Sequence, residues 1–327
     1  MSQQAREPSA AEIEKPGEGG EATASRSIYL WLATVPMVWG FNFVGLKVLY
    51  AHGFTVPALL SMRYIIMAVA LGVCLLVLED DPHIERKDWA YLGVFSLVTV
   101  VIYQFVFAKG IEMTTPAESS LLISTAPIWV FLISLALRIE KLELVRVLGV
   151  IVGFIGVGMV IFGREGVSLT NLDTNLAGDL VMTAAAILWA SYAVFSRPLL
   201  EKYSPMKIVA YMHILGSFII IPIGFKQLLA VGVWEMGAVP WLCIFHYSIL
   251  AGVYGFLVWY AGVQRVGAGQ TMLYQYFVPV VALVAGYLVL QIAPTWMQVA
   301  GVIITLGGVH LARQHSRSSS EHETGEI

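Results

Sequence analysis

Charge is scarce in this sequence: Asp, Glu, Lys and Arg make up 13% of its 327 residues, against roughly 25% in an ordinary soluble domain. The basic residues form no patch or stripe, which argues against a nucleic-acid partner. Cysteine is nearly absent. Cys74 and Cys243 both lie inside apolar runs, which excludes a disulfide framework and disfavours a metal site, so no metal is expected. No Gly-Lys dipeptide occurs, so the chain has no P-loop. No cofactor is expected either. Residues 1–27 hold Glu7, Glu12, Glu14, Glu18 and Glu21 without an apolar core. That excludes a signal peptide and predicts a disordered cytoplasmic tail, with a second tail over 313–327.

Apolar residues are what the chain has in abundance, at 58% hydrophobic and a mean hydropathy of +0.77. A bilayer core about 30 Å thick takes roughly 20 apolar residues per helix. Runs of that kind lie at about 28–49, 57–78, 89–109, 115–137 and 144–162, then at about 177–197, 205–226, 240–263, 268–290 and 294–312. With the N-terminus inside, only Lys47, Lys109, Arg164 and Lys226 fall outside and Arg63 lies within span two. The other fourteen basic residues fall on the inner side, a strong positive-inside bias. The expectation is an all-α polytopic protein of ten transmembrane helices in the inner (plasma) membrane, with both termini cytoplasmic.

The chain also repeats itself. WGFNFVGLK at Trp39–Lys47 returns as WASYAVFSR at Trp189–Arg197, 150 residues later. Pro57 and Arg63 match Pro205 and Tyr211. Lys109-Gly110-Ile111 matches Ala261-Gly262-Val263, Pro127 matches Pro279, and GVIVGFIGV (149–157) matches GVIITLGGV (301–309). Each half holds five spans, an odd number, so the second must cross the membrane in the opposite sense. Two inverted repeats, over 28–163 and 176–312, place a binding site near the midplane at their interface.

WGFNF in span one, Pro57 through Arg63, Ala117 through Pro127, the Gly-rich fifth span and Gly178-Asp179 resemble the EamA family of the drug/metabolite transporter superfamily. The resemblance spans about 28–312. It implies ten helices around a central cavity and movement of small metabolites, usually export, with spans five and ten packing the assembly. The acidic residue usual near the end of span four is present as Glu140, but its second-half counterpart falls at Gln291-Ile292.

Polar groups inside a bilayer are costly and mark cavities or partners. Lys47 either draws an anion to the cavity's outer mouth or snorkels to the headgroups. Arg63 either clamps a substrate carboxylate or pairs with Glu112 or Glu118. Asn42 and Tyr192 follow Trp39 and Trp189 at the same spacing, and are either cavity-lining or interhelical glue. Tyr103-Gln104 and Tyr274-Gln275-Tyr276 suit a pocket for a small, partly apolar molecule. Tyr29, Trp31, Trp89, Tyr91, Trp241 and Trp296 suit interfacial belts, whereas Trp259 and Tyr260 fit either role. Pro127 and Pro279 are candidate hinges. Glu118 and Asp179 sit at span ends, which leaves His213 as the deepest group that titrates near neutrality and the candidate for proton coupling.

These residues predict a secondary transporter, not an enzyme, working by alternating access. Its partners are the lipid bilayer and a small-molecule substrate, an amino acid or related amphipathic compound moved outward. The alternative is a polytopic enzyme acting on lipid or a lipid-linked substrate.

Overall fold

The computed structural model describes residues 18–138, 144–163, 174–275 and 277–324. Glu140, Lys141, Arg164 and Tyr276 lie outside this set. Ten main helical elements run through it: α1 Glu18–Ala51, α2 Val56–Leu78, α3 Arg86–Met113, α4 Pro116–Ala136, α5 Leu144–Phe162, α6 Thr174–Phe195, α7 Pro205–Ala230, α8 over 238–275, α9 Val278–Leu290 and α10 Trp296–Thr324. No strand occurs among the described residues. Among the described residues seven helices are long and apolar enough to cross a membrane; the apolar stretches of α5, α9 and α10 are shorter.

The surface is apolar as well as the interior. Leu30, Leu76, Phe218, Leu229 and Ile303 face outward, whereas Arg63, Gln104, Glu118, Asp179 and His213 are buried. A surface of this kind suits lipid, where backbone polar groups must be satisfied within helices. Tyr29, Trp31, Trp89, Tyr91 and Trp296 are exposed, as belt residues require.

Both outer helices are longer than their apolar runs. α1 begins at Glu18, inside the segment the sequence reads as a tail. Ala and Glu are strong helix formers, and acids at a helix N-terminus favour its dipole. α10 continues through the expected tail to Thr324; no Gly or Pro interrupts it after Gly308.

Packing partners are preserved when the halves are exchanged. α1 packs on α8 and α9, and α6 packs on α3 and α4. α2 pairs with α7, and α5 with α10. The last two contacts are close. A Cβ on Gly224 of α7 would lie 1.9 Å from the Pro57 carbonyl oxygen, and one on Gly156 of α5 would lie 2.5 Å from the Thr305 backbone nitrogen. Small residues let membrane helices approach in this way. Ser61 adds a hydroxyl shared between the Ile220 and Ile221 carbonyls at 3.1 and 3.0 Å.

Three interruptions shape the interior. Pro127 has no N–H for the Ile123 carbonyl, and α4 breaks at Ser124–Thr125 just before it. Pro279 likewise stands in the first turn of α9, just after the break that separates it from α8. Between α3 and α4, Thr115 and Glu118 form a capping box with Pro116 in the first turn. The corresponding stretch of the second half, Val266-Gly267-Ala268, has neither cap nor proline. There α8 runs on to Gln275, where the sequence had predicted a separation at about 264–267.

Two wider helical stretches, with π-type hydrogen bonding, match across the halves. They are Leu97–Ile102 in α3 and His246–Tyr254 in α8. Single-turn π segments within α-helices often mark functional sites.

Candidate functional site

The aromatic landmarks of the two repeats meet. Trp39 and Trp189 pack edge to face with ring centres 5.8 Å apart, and Trp259 closes on Trp39 at 5.0 Å. Trp39 donates from Nε1 to the Ala251 carbonyl at 3.1 Å, within the wide turn of α8. Tyr103 stacks on Trp189 at 5.5 Å, and Phe43 meets Phe107 edge to face at 5.7 Å. The rings of Trp39, Phe43, Tyr103, Phe107 and Trp189 wall a small cavity of about 50 Å³.

The polar groups reaching this void are Asn42, Arg63, Gln104 and Gln275, beside the Tyr103 hydroxyl and the two indoles. Arg63 is 3% exposed. Its Nη1 donates to Gln104 Oε1 at 2.9 Å, its Nε points at Met67 Sδ at 3.2 Å, and its guanidinium lies 3.9 Å from the centre of the Tyr247 ring. Neither expected acid reaches it. Glu112 pairs with Lys109, and Glu118 meets Thr114 at 2.7 Å and Gln298 at 3.1 Å. Among the described residues Arg63 has no carboxylate partner.

Three buried atoms on the same wall also have no partner: Asn42 Oδ1, Trp189 Nε1 and Gln275 Oε1. The Gln275 amide nitrogen is engaged, donating to the Ile123 carbonyl at 3.4 Å. That carbonyl is the one Pro127 leaves without a helical donor. The break in α4 is therefore bridged from α8, beside the cavity.

Several other candidates lie off the cavity wall. Lys47 donates to the Glu112 carbonyl at 3.0 Å, satisfying an orphan acceptor of α3's last turn. Tyr192 lies behind Trp189, stacked at 5.1 Å, with its other face on Phe95 at 5.2 Å. Asn42 and Tyr192 therefore do not share the cavity. Tyr274 is half-buried and is not among the lining residues. His213 packs against Tyr64 and Phe256, with Nδ1 2.8 Å from the Val209 carbonyl of its own helix. Tyr260 and Trp259 belong to the surrounding aromatic packing.

Sequence reading missed Phe43, Phe107, Ile123, Ala251, Phe256 and Val278 in the wall, and Tyr247 under Arg63. Apolar lining residues look like any others in a 58% hydrophobic chain. The one usable signal was position. Ala251 and Tyr247, which meet Trp39 and Arg63, both lie in the widened stretch of α8.

At one end of the bundle, the segment before α3 is tied to the segment before α7. Tyr203 donates to Asp88 Oδ2 at 2.7 Å and accepts from the Glu85 N–H at 3.1 Å. Lys202 meets Asp88 at 3.1 Å, Lys207 meets Asp81 at 3.3 Å, and Tyr211 donates to the Pro82 carbonyl at 2.7 Å. Ser204 and Glu79 add a further contact. These bonds join the halves and seal that end.

Comparison with known proteins gives this arrangement a family. The profile of the EamA-like transporter family matches residues 26–162 and again 176–313. The "Uncharacterized transporter YetK" of Bacillus subtilis (strain 168) is 25% identical over 285 residues, covering 86% of this chain and 85% of its own. An "Uncharacterized transporter" of Archaeoglobus fulgidus is 26% identical over 298 residues, covering 88% and 98%. A solved crystal structure shares the fold with a TM-score of 0.65 at 21% identity, covering 90% of this chain and 98% of that one. The chain is a multi-pass membrane protein and belongs to the EamA-like transporter family.

Proposed function

We propose that the protein is a secondary transporter that carries an amino acid or related amphipathic compound out of the cell by alternating access. The observation that carries this reading is the cavity. It lies between the two halves, is walled by aromatic rings, and presents a buried cation and three buried polar atoms without partners. Such groups are costly to leave unsatisfied, and a bound solute would satisfy them.

In this reading the halves are inverted five-helix repeats in the inner membrane, with both termini cytoplasmic. The positive-inside bias and the exchange-invariant packing support it. The sealed end, held by Asp88, Lys202 and Tyr203, would then be the cytoplasmic gate. Trp39, Asn42, Arg63, Tyr103, Gln104, Trp189 and Gln275 would contact substrate. Pro127 and Pro279, beside the breaks in α4 and before α9, would act as hinges. A proton-coupled version would use His213, which packs on the cavity-lining Phe256. Among the described residues the wall contains no Asp, Glu, His, Cys or Lys, which favours carriage over covalent chemistry on a lipid.

Purified protein in liposomes, loaded with a panel of labelled metabolites, tests the reading. Saturable flux of at least one solute is expected, with Trp39→Ala and Gln275→Ala each lowering it by about tenfold, equivalent to ~1.4 kcal/mol. A protein that folds and yet moves nothing in the panel would end the transporter reading.

A further inference from the structure

Among the described residues Arg63 has no carboxylate counter-ion. Its guanidinium is held by three neutral groups, the Gln104 amide oxygen, the Met67 sulfur and the Tyr247 ring. None cancels its charge. Each fixes the fork in place without competing strongly for an anion. Arg63 lies in a helix apolar enough to span a membrane, where an unpaired charge is expensive and usually functional.

Among the described residues the rest of the wall carries no second charge of either sign, since its other members are Trp, Asn, Phe, Tyr, Gln, Ile, Ala and Val. One positive charge is therefore matched by one negative charge. A dianion would leave a net negative charge in the cavity. An ammonium group would add a second cation facing no carboxylate. The unpartnered acceptors, Asn42 Oδ1 and Gln275 Oε1, are neutral amide oxygens, suited to neutral N–H or O–H donors. The Trp189 Nε1 donor can reinforce the carboxylate or take a substrate carbonyl. The aromatic wall accommodates an apolar body.

Resting on the transporter reading above, we infer that the substrate is a monoanion: an amphipathic monocarboxylate bearing a neutral N–H or O–H donor, whose carboxylate is the missing counter-ion of Arg63. Within the amino-acid-like class, this selects compounds whose amine is acylated or replaced by hydroxyl over free zwitterionic amino acids. A planar carboxylate can take two parallel N–H bonds from the guanidinium fork.

The test uses full-length protein in liposomes and four probes of nearly constant shape: N-acetyl-phenylalanine, phenylalanine, phenylalaninamide and N-acetyl-phenylalaninamide. They carry a single negative charge, a zwitterion, a single positive charge and no charge. N-acetyl-phenylalanine is expected to move at least about tenfold faster than each of the others, and to raise the melting temperature of the detergent-solubilised protein. Arg63→Gln should abolish both effects. Arg63→Lys, which keeps the charge and loses the fork, should retain a reduced preference for the monoanion.

Faster flux of the zwitterion or of either amide would overturn the charge assignment while leaving the transporter reading intact. Undiminished monoanion flux in Arg63→Gln would also overturn it. If that variant does not fold, the ranking of the four probes on the unsubstituted protein still decides. A panel in which nothing moves and nothing raises the melting temperature would remove the transporter reading, and the inference with it.

Discussion

The two halves of the chain place corresponding residues in unlike settings. Trp39 and Trp189 are equivalent in sequence and in space, meeting edge to face at the centre. Three residues further on the equivalence ends: Asn42 lines the cavity, whereas Tyr192 lies behind Trp189. In the second helix of each half, Arg63 reaches the cavity, while Tyr211 donates to the Pro82 carbonyl at the sealed end. The apolar and aromatic contacts that hold the repeats together are shared. The polar residues that face a solute come mainly from the first half. A duplicated scaffold therefore need not carry a duplicated site, because side chains off the packing seam can differ without disturbing the seam.

The seam itself offers the sharpest way to break this comparison. Gly156 faces α10, where an added Cβ would lie 2.5 Å from the Thr305 nitrogen, whereas Gly158 faces open space. Gly156→Leu should cost about 3 kcal/mol or more through overpacking and abolish the monodisperse peak in detergent size-exclusion chromatography. Gly158→Leu should behave as the parent protein. Equal recovery of the two would show that α5 and α10 are not held by this contact.

A smaller effect separates cavity from backing. Asn42→Ala should weaken solute binding by about tenfold, the loss of one buried hydrogen bond of ~1.4 kcal/mol, with little change in melting temperature. Tyr192→Ala should do the reverse, removing stacking on Trp189 and Phe95 and lowering stability by about 3 kcal/mol. Isothermal titration and thermal unfolding read the two quantities separately. A loss of affinity in Tyr192→Ala with unchanged stability would put Tyr192 back in the site.

The smallest effect concerns the sealed end. Asp81 accepts from the His83 backbone N–H at 3.0 Å and meets Lys207; these hold its carboxyl below the ordinary range, the His83 bond first. A carboxyl depressed in the folded state contributes stability above its unfolded value, near 3.9. That contribution is lost as pH falls through the lower folded value. The melting-temperature gap between the parent protein and Asp81→Asn should be small at pH 7 and vanish near pH 2. A gap that persists there would assign it to something other than this charge.

Much of this was legible in the residues. The apolar runs, the Pro57, Pro127 and Pro279 landmarks and the paired Trp segments located the helices and the seam, because helix length and proline's missing N–H act locally. Seven of the proposed contacts line one cavity for the same reason: a polar or aromatic residue at mid-span stands out against an apolar background. The failures are equally physical. Lys47 binds a carbonyl exposed by the end of α3, a helix 65 residues away in sequence. Tyr192 has the right spacing and the wrong neighbour. Tyr247 is one aromatic among many until α2 brings Arg63 over it.

By itself, then, the sequence determined a duplicated bundle of apolar helices with a cation inside it, since composition, periodicity and repeat spacing are properties of the chain alone. Only the tertiary structure decided that this cation has no carboxylate partner among the described residues. Whether a charge is paired depends on which helices meet, and here Glu112 and Glu118 are held by Lys109, Thr114 and Gln298, leaving Arg63 to face the cavity.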